Sequence, residues 1–479
     1  MNTTFKIKSI ILINKDTLFS HFFYLILYSP LLIGCTPKIS PIEVPVEVPP
    51  DFSVNGEAII PDKWWTVFGD EKLNVLVDSA LVNNKDLASV WYQLQASRAV
   101  VKRESTFLFP DIEAGAQTAI SRPEPDFTGG ETTQIGISTN YEVDLWGRIK
   151  ASIQAEEFNM QASYYDYQAA AMSISAEIAR LWFQLIAARQ HLNLTAEQIS
   201  NNQKIIDLIQ VRFGSGQIKG VDILRQRQLL EEIQEQQIGY KSDLELLKNR
   251  LAILTGEPPQ SFEPVLTDSL PGIPPQPEAG LPLDLVRRRP DLQREYNALM
   301  AADRDMAVAV RNKFPRLSLN LSSQARSNTY NELFSNWAYT LGANLFAPLI
   351  YWGRLNAEVD RTEAVKNQRL YLYGQSVLTA FREVEDALIR EQTLLQRIAV
   401  LENRVDMAKK INNQLNIEFL NGYTNYLDVL LSLDQQQQLE RDILDARLEQ
   451  YQVRIDLYLA LAGDFDTARE QEDNADLPN

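Results

Sequence analysis

Two rhythms of apolar and polar positions alternate along the chain. Between Thr132 and Val143, apolar Ile135 and Ile137 alternate with polar Gln134, Ser138 and Asn140, the period-2 pattern of a strand with one apolar and one polar face. Trp146-Gly147-Arg148 ends that pattern, and a long helical one begins. The same switch returns at Tyr339 to Phe346, closed by Tyr351-Trp352-Gly353-Arg354. Gly147 and Gly353 stand 353 − 147 = 206 positions apart, so the chain reads as two copies of one unit.

In the first copy, residues 71 to 104 carry a helical pattern interrupted at Asn83-Asn84-Lys85-Asp86, where Asn84 or Asp86 suits a helix cap. Phe109-Pro110 stops it. From Asp111 to Ile120, Ile112, Ala114, Ala116, Thr118 and Ile120 alternate with Glu113, Gly115 and Gln117, which predicts a strand paired with the next as a hairpin with a long Pro/Gly-rich tip. From Arg148 to about Arg212, Ile174, Ile178, Leu181, Leu185, Ala188 and Leu192 step by four and three, a heptad that asks for helices lying side by side. Gly214-Ser215-Gly216 turns the chain, and Val221 to Thr255 runs back with Leu244, Leu247, Leu251 and Leu254 in the same rhythm.

After a proline-rich stretch the plan repeats. Pro290 to Lys313 predicts the short helix, and Phe314-Pro315 stops it, 315 − 110 = 205 positions after the first such stop. Arg316 to Gln324 alternates Leu317, Leu319 and Leu321 with Ser318, Asn320 and Ser322. The second long helix carries Leu394, Ile398, Leu401, Val405 and Ala408, and Asn421-Gly422-Tyr423 makes its turn. Phe213 matches Phe419, Gly216 matches Gly422 and Asp222 matches Asp428, all at the 206 spacing. An outgoing helix of about 65 residues is roughly 95 Å long, against roughly 50 Å for the return helix, and the short helix before each hairpin makes up most of the difference. The four strands, each of about nine to eleven residues, suit tilted strands crossing hydrocarbon. Four strands cannot close a barrel, and an open edge in lipid leaves amides unpaired, so several copies must share one. Two chains would supply eight strands and three would supply twelve, and the pattern alone does not choose.

Composition narrows the function. The 479 residues are 45% apolar and 23% charged, and their net charge of −17 argues against a general nucleic-acid role, which needs concentrated Lys and Arg. An acidic lumen would favour cations. His21 and His191 are the only histidines, no phosphate loop is present, and carboxylate pairs such as Glu156-Glu157 and Glu231-Glu232 read as solvated helix faces. No enzyme, metal site or cofactor is therefore expected, and energy for any transport must come from a partner. At the amino end, Lys6, Lys8 and Lys15 precede the apolar run Leu18 to Leu27, and Leu32-Ile33-Gly34 leads to Cys35, the only cysteine. This reads as a secretory leader, and its end resembles a bacterial lipobox whose cysteine is acylated. Pro37, Pro41, Pro45, Pro49 and Pro50 would then form an extended spacer.

Taken together, Leu32-Ile33-Gly34-Cys35, the paired Phe-Pro stops, the paired Trp-Gly-Arg motifs and the two turns (Arg212 to Asp222 and Glu418 to Asp428) resemble the TolC-like outer-membrane efflux proteins. The likeness is to their lipidated branch, which serves resistance-nodulation-division pumps. It implies a homotrimer with a shared twelve-stranded barrel, a helical tunnel in the periplasm and partners in a periplasmic adaptor (membrane fusion) protein and an inner-membrane pump. The organisation expected is a signal peptide at 1–34, a lipid-anchored tether and equatorial segment at 35–70 and a first repeat at 71–257, with its hairpin at 111–145 and tip near 213–221. A proline-rich equatorial linker at 258–285 then leads to a second repeat at 286–463, with its hairpin at 316–350 and tip near 419–427, and a tail at 464–479.

The resemblance also places residues. Cys35 would carry the lipid, palmitate included. Arg212, Ser215, Gly216, Asn421, Gly422 and Tyr423 would lie at the periplasmic tip where the adaptor docks, and Asp428, Leu431 and Asp434 are the candidates for the closed constriction. Leu431 and Asp434 stand about where relatives carry Asp and Arg, a departure from the usual aspartate ring. Gly216 and Gly422 equally suit tight turns needing positive φ. Asp222 and Asp428 equally suit first-turn carboxylates at a helix N-terminus, which leaves Asp434 to line the aperture. The expected function is a passive exit duct for small toxic compounds; a polypeptide-export duct and a non-conducting lipid-anchored coiled-coil scaffold are the alternatives.

Overall fold

The computed structural model describes residues 46–53, 60–120, 131–267, 269–327, 330–335, 337–461 and 463–475; the leader, Cys35 and the tip of the first hairpin lie outside the described residues. A 3-10 turn at Trp64–Phe68 leads to α1 (Glu71–Asn83), α2 (Lys85–Thr106), β1 (Asp111–Ile120), β2 (Glu131–Val143) and the long helices α3 (Arg148–Gly214) and α4 (Gly220–Leu254). The order then repeats as α5 (Pro282–Arg288), α6 (Pro290–Arg311), β3 (Arg316–Ser327), β4 (Trp337–Phe346), α7 (Arg354–Leu420) and α8 (Tyr426–Leu461), before a short α9 (Ala468–Ala475). The two outgoing helices, α3 and α7, are 67 residues each.

Local chemistry sets the boundaries. Asn84 ends α1 and caps α2, accepting from the Leu87 amide at 2.9 Å, so the break read at this point is a capped junction made by Asn84 and not by Asp86. Asp144 reaches forward to accept from the Ile149 and Lys150 amides at 3.1 and 3.0 Å, satisfying the first turn of α3. Along the long helices the heptad positions turn inward: Ile178, Leu181, Leu185 and Ala188 of α3 are buried, as are Leu394, Ile398, Leu401 and Ala408 of α7.

The densest packing surrounds the middle of α3. Trp64, Trp65 and Phe68 from the amino end, Trp182 and Phe183 from α3, Tyr451 and Tyr458 from α8, and Phe465 from the carboxyl end form one aromatic cluster. Trp64 stacks on Tyr458 at 5.9 Å between centroids, and Phe183 lies 4.4 Å from Tyr451. Each such ring contributes on the order of 2–3 kcal/mol by burial. The Trp182 indole donates to Asp70 at 2.8 Å, the Trp64 indole to Ser175 at 3.1 Å, and the neighbouring Tyr167 meets Thr467 at 2.7 Å, while the buried Trp65 indole nitrogen has no hydrogen-bond partner. The linker joins this belt, because Tyr451 donates to the Pro271 carbonyl and Arg454 to that of Pro275 at 2.8 Å.

The strands form one antiparallel sheet in the order β1-β2-β3-β4. Its register aligns Ile112 with Thr139, Thr139 with Leu321, and Leu321 with Leu341. Residues directly opposite one another share a face, so Ile112, Ile135, Ile137, Tyr141, Leu319, Leu321, Tyr339, Leu341 and Leu345 all lie on one side. Glu113, Gln117, Gln134, Asn140, Asn320, Gln324, Thr340 and Asn344 lie on the other. The apolar side is open: Ile112, Tyr339 and Leu341 are 74%, 78% and 80% exposed. β1 and β4 are each paired along one edge only.

Asp70 serves two purposes, capping α1 through the Lys72 and Leu73 amides and accepting from Trp182. Asp70→Ala is therefore expected to cost about 2–3 kcal/mol, the lost cap plus an orphaned buried indole N–H. Asp70→Asn, which keeps one acceptor oxygen, should lose about half as much. Denaturant titration followed by tryptophan fluorescence checks both.

Candidate functional site

Among the described residues no group of three or more His, Cys, Asp and Glu side chains converges as metal ligands. His191 is buried, stacked on Tyr240 at 4.5 Å with its Nε2 at 2.9 Å from Asp445, the setting of a packed core histidine. No helix among the described residues is long and apolar enough to cross a membrane. The features that remain are the two helical turns and the two-faced sheet.

Both turns use the same backbone device. The Gly216 amide donates to the Phe213 carbonyl at 2.9 Å and Gln217 to Arg212 at 3.0 Å; the Gly422 amide donates to Phe419 at 3.1 Å and Tyr423 to Glu418 at 2.9 Å. These are paired Schellman motifs, and they place the glycines at φ 74° and 79°, where a β-carbon is disfavoured. Ser215 donates back to the Arg212 carbonyl at 2.9 Å, and Asn421 to that of Ile417 at 2.8 Å, so both polar residues serve their own turns. Tyr423 is 83% exposed. Arg212 crosses between the turns, its guanidinium 5.1 Å from the Phe419 ring centroid, and Phe419 in turn meets Tyr426 edge-on at 5.4 Å.

The gate candidates divide by environment. Asp428 accepts from the Thr424 hydroxyl at 2.8 Å while its own amide donates to the Asn425 side chain at 3.2 Å, so Asn425 caps the start of α8. Asp222 likewise opens α4 and faces Arg225 at 3.5 Å. Leu431 is 59% exposed, and Asp434 is half-buried one turn on from the buried Leu430.

The contact that most firmly joins the two tips involves residues not singled out from the sequence. Tyr426 at the start of α8 donates to Gln226 of α4 at 2.5 Å, Gln226 donates to Asn202 of α3 at 2.5 Å, and Asn202 donates to the Gln198 carbonyl at 2.7 Å. Gln198 then accepts from Arg441 of α8 at 2.9 Å. All five side chains are buried. Burial, with the Asp222 charge second, holds the Tyr426 phenol well above its ordinary pKa, so it remains a donor across the physiological range. A signal was available: Asn202 continues the three-and-four spacing of the α3 heptad, and a polar residue at a core position needs a partner.

At the base of the sheet, the Trp146 indole donates to the Pro315 carbonyl at 2.7 Å and stacks on Phe314 at 5.2 Å. The first Trp-Gly-Arg motif thus docks on the second Phe-Pro stop.

Comparison with known proteins matches this architecture. The profile of the outer membrane efflux protein family covers residues 76–257 and 281–463. The pyoverdine export outer membrane protein OpmQ of Pseudomonas aeruginosa is 28% identical over 421 residues, covering 85% of this chain and 88% of that protein. The cation efflux system protein CusC of Escherichia coli is 25% identical over 445 residues, covering 90% and 96%. The solved outer-membrane channel OprN superposes with a TM-score of 0.81 at 24% identity, over 90% of this chain and 98% of that one, a likeness of fold.

Gly216→Ala and Gly422→Ala are each expected to cost roughly 1–2 kcal/mol of local turn stability, read as about tenfold faster amide exchange at Gln217 or Tyr423. Tyr426→Phe strands the buried Gln226 carbonyl and should loosen the joined tips by about 1–3 kcal/mol. Hydrogen exchange along the first turns of α4 and α8 checks it.

Proposed function

We propose, from the premise that this chain belongs to the outer membrane efflux protein family, that it is the exit duct of a tripartite pump. It is an outer-membrane efflux protein, and the reading offered here concerns its assembly, anchor, partners and gate. Three copies would place twelve strands in one barrel, with α3, α4, α7 and α8 of each copy forming a tunnel in the periplasm. Cys35 would carry the lipid. An adaptor would dock at the turns around Gly216 and Gly422, and an inner-membrane resistance-nodulation-division pump would supply the energy.

The observation that carries this reading is the register of the sheet. It sorts four strands from two distant repeats into one apolar and one polar face, with both edges open. A sheet buried in a soluble core would have its apolar face covered, whereas Leu341 is 80% exposed. In a barrel that face meets hydrocarbon, the polar face meets a water-filled lumen, and neighbouring copies pair the edges.

At the far end of the tunnel, the Asp428 carboxylate is held by the Thr424 hydroxyl, which leaves Leu431 and Asp434 as the side chains to line the constriction. Cargo is small and chemically broad. The relatives' names specify pyoverdine, toluene and cations, compounds without shared chemistry, so selection falls to the pump and not to the duct.

The purified protein is expected to conduct ions in planar bilayers, with cations preferred. Silence under conditions that open the tip would remove the duct reading. Asp434→Lys should weaken or reverse the cation preference, and Asp428→Lys should change it less while destabilising the first turn of α8. Equal selectivity in all three proteins would show that Asp434 does not face the lumen.

A further inference from the structure

The connection between β3 and β4 holds a 3-10 turn, Tyr330–Ser335. It packs against β3 and also against β2, one strand further in, so it folds back over one face of the sheet. Buried positions identify that face. Among the described strand side chains, Ala325 and Ser327 alone are buried. The register sets Ala325 opposite Ile135 and Trp337, and Ser327 opposite Thr133, all on the apolar side. On the polar side at the same level, Arg326 and Ala338 stay exposed. Within the turn, Leu333 is 7% exposed and the next residue, Phe334, 66%. Leu333 is the side chain turned to the sheet, and Phe334 the one turned outward.

The turn therefore lies on the face that the barrel reading gives to hydrocarbon, where an irregular backbone is tolerated only at the border, within reach of headgroups and water. Strand length puts it there. The ten residues of β4, Trp337–Phe346, span about 26 Å of membrane height at roughly 3.4 Å per residue and a tilt near 40°, close to the apolar band of such barrels. Trp337 marks one border of that band, and the turn sits just before it in the chain. Trp337 and Tyr339 are exposed on the same face, and amphipathic rings of this kind favour the membrane interface. Glu332, also exposed, keeps its charge on the wet side.

We infer that this turn is a lipid-facing wedge: it lies on the outside of the barrel wall, with Phe334, Trp337 and Tyr339 seated among the headgroups of the surrounding leaflet, and it does not reach over the mouth. Leu333 pins it to the sheet. The occupant is lipid and not a second copy because the turn covers β2 and β3, the inner strands of the sheet, whereas a neighbouring copy would meet the outer edges of β1 and β4. The inference rests on the barrel reading and adds where this turn sits and what it touches.

Fluorescence quenching in proteoliposomes tests the placement. The environment-sensitive dye NBD is attached to Phe334→Cys, to Leu341→Cys on the apolar face and to Ala338→Cys on the polar face, with the unsubstituted protein treated alike to control for Cys35. A phospholipid carrying a nitroxide near its headgroup is expected to quench the Phe334→Cys label at least about threefold more than the Ala338→Cys label, and aqueous iodide should do the reverse. A nitroxide deep in the acyl chain should favour Leu341→Cys over Phe334→Cys. In planar bilayers Phe334→Lys should leave conductance and ion preference unchanged; a change in either would put the side chain at the mouth and overturn the inference. Iodide quenching at Phe334→Cys as strong as at Ala338→Cys, with Leu341→Cys still quenched by lipid, overturns the wedge and leaves the duct standing. So does protection of the Phe334→Cys label from both quenchers, the sign of a protein or a second copy covering it. Absence of lipid quenching at Leu341→Cys as well overturns the barrel reading itself.

Discussion

Backbone amides at a sheet edge have no partner in hydrocarbon, and that constraint organises this molecule. Each unpaired N–H or C=O costs several kcal/mol in lipid, so a spanning sheet must close. Four strands from one chain are too few. Long strands with an apolar side would also be an aggregation hazard in water. The duplicated plan answers both problems. Two repeats supply two hairpins already paired in register, so three seams are built into each polypeptide, and in the proposed twelve-stranded barrel only one per copy awaits a neighbour.

The rest of the fold carries this arrangement away from the membrane. Helices of 67 residues are too long to be stabilised by propensity alone, and what holds them is the heptad seam along their length and the aromatic belt around Trp182. That belt gathers the amino-terminal turn, the linker near Pro271 and the carboxyl-terminal Phe465. Segments that carry no repeat pattern of their own are thereby recruited where α3 and α8 meet. Because the belt lies near the midpoint of α3, the helical ends toward the turns rely on their own packing, on the chain from Tyr426 to Arg441 and on the Arg212–Phe419 contact.

Much of this was legible in the sequence, because strand alternation and heptad spacing are local and each occurs twice. The positions of Gly216 and Gly422 also read correctly as turns. What was not legible depends on contacts between distant segments. Trp146 and Pro315 are 169 residues apart, and each motif reads as punctuation for its own hairpin until the β2–β3 register brings them together. The contacts of Asp428 with Thr424 and Asn425 were likewise not indicated by the charges at the tip. The union of Tyr426 with Gln226 and Asn202 was hidden for another reason. Attention to charge at the tip passes over uncharged amides, although their place in the heptad marks them as buried.

That union has a consequence for the surroundings in which the molecule works. Its central links are a phenol and two carboxamides, none of which gains or loses a proton near neutrality, and all are enclosed. Mobile ions weaken attraction between exposed charges within about 10 Å at 0.1 M salt, but they have little hold on neutral groups shielded from water. A fastening of this kind keeps its strength in dilute and in briny media alike.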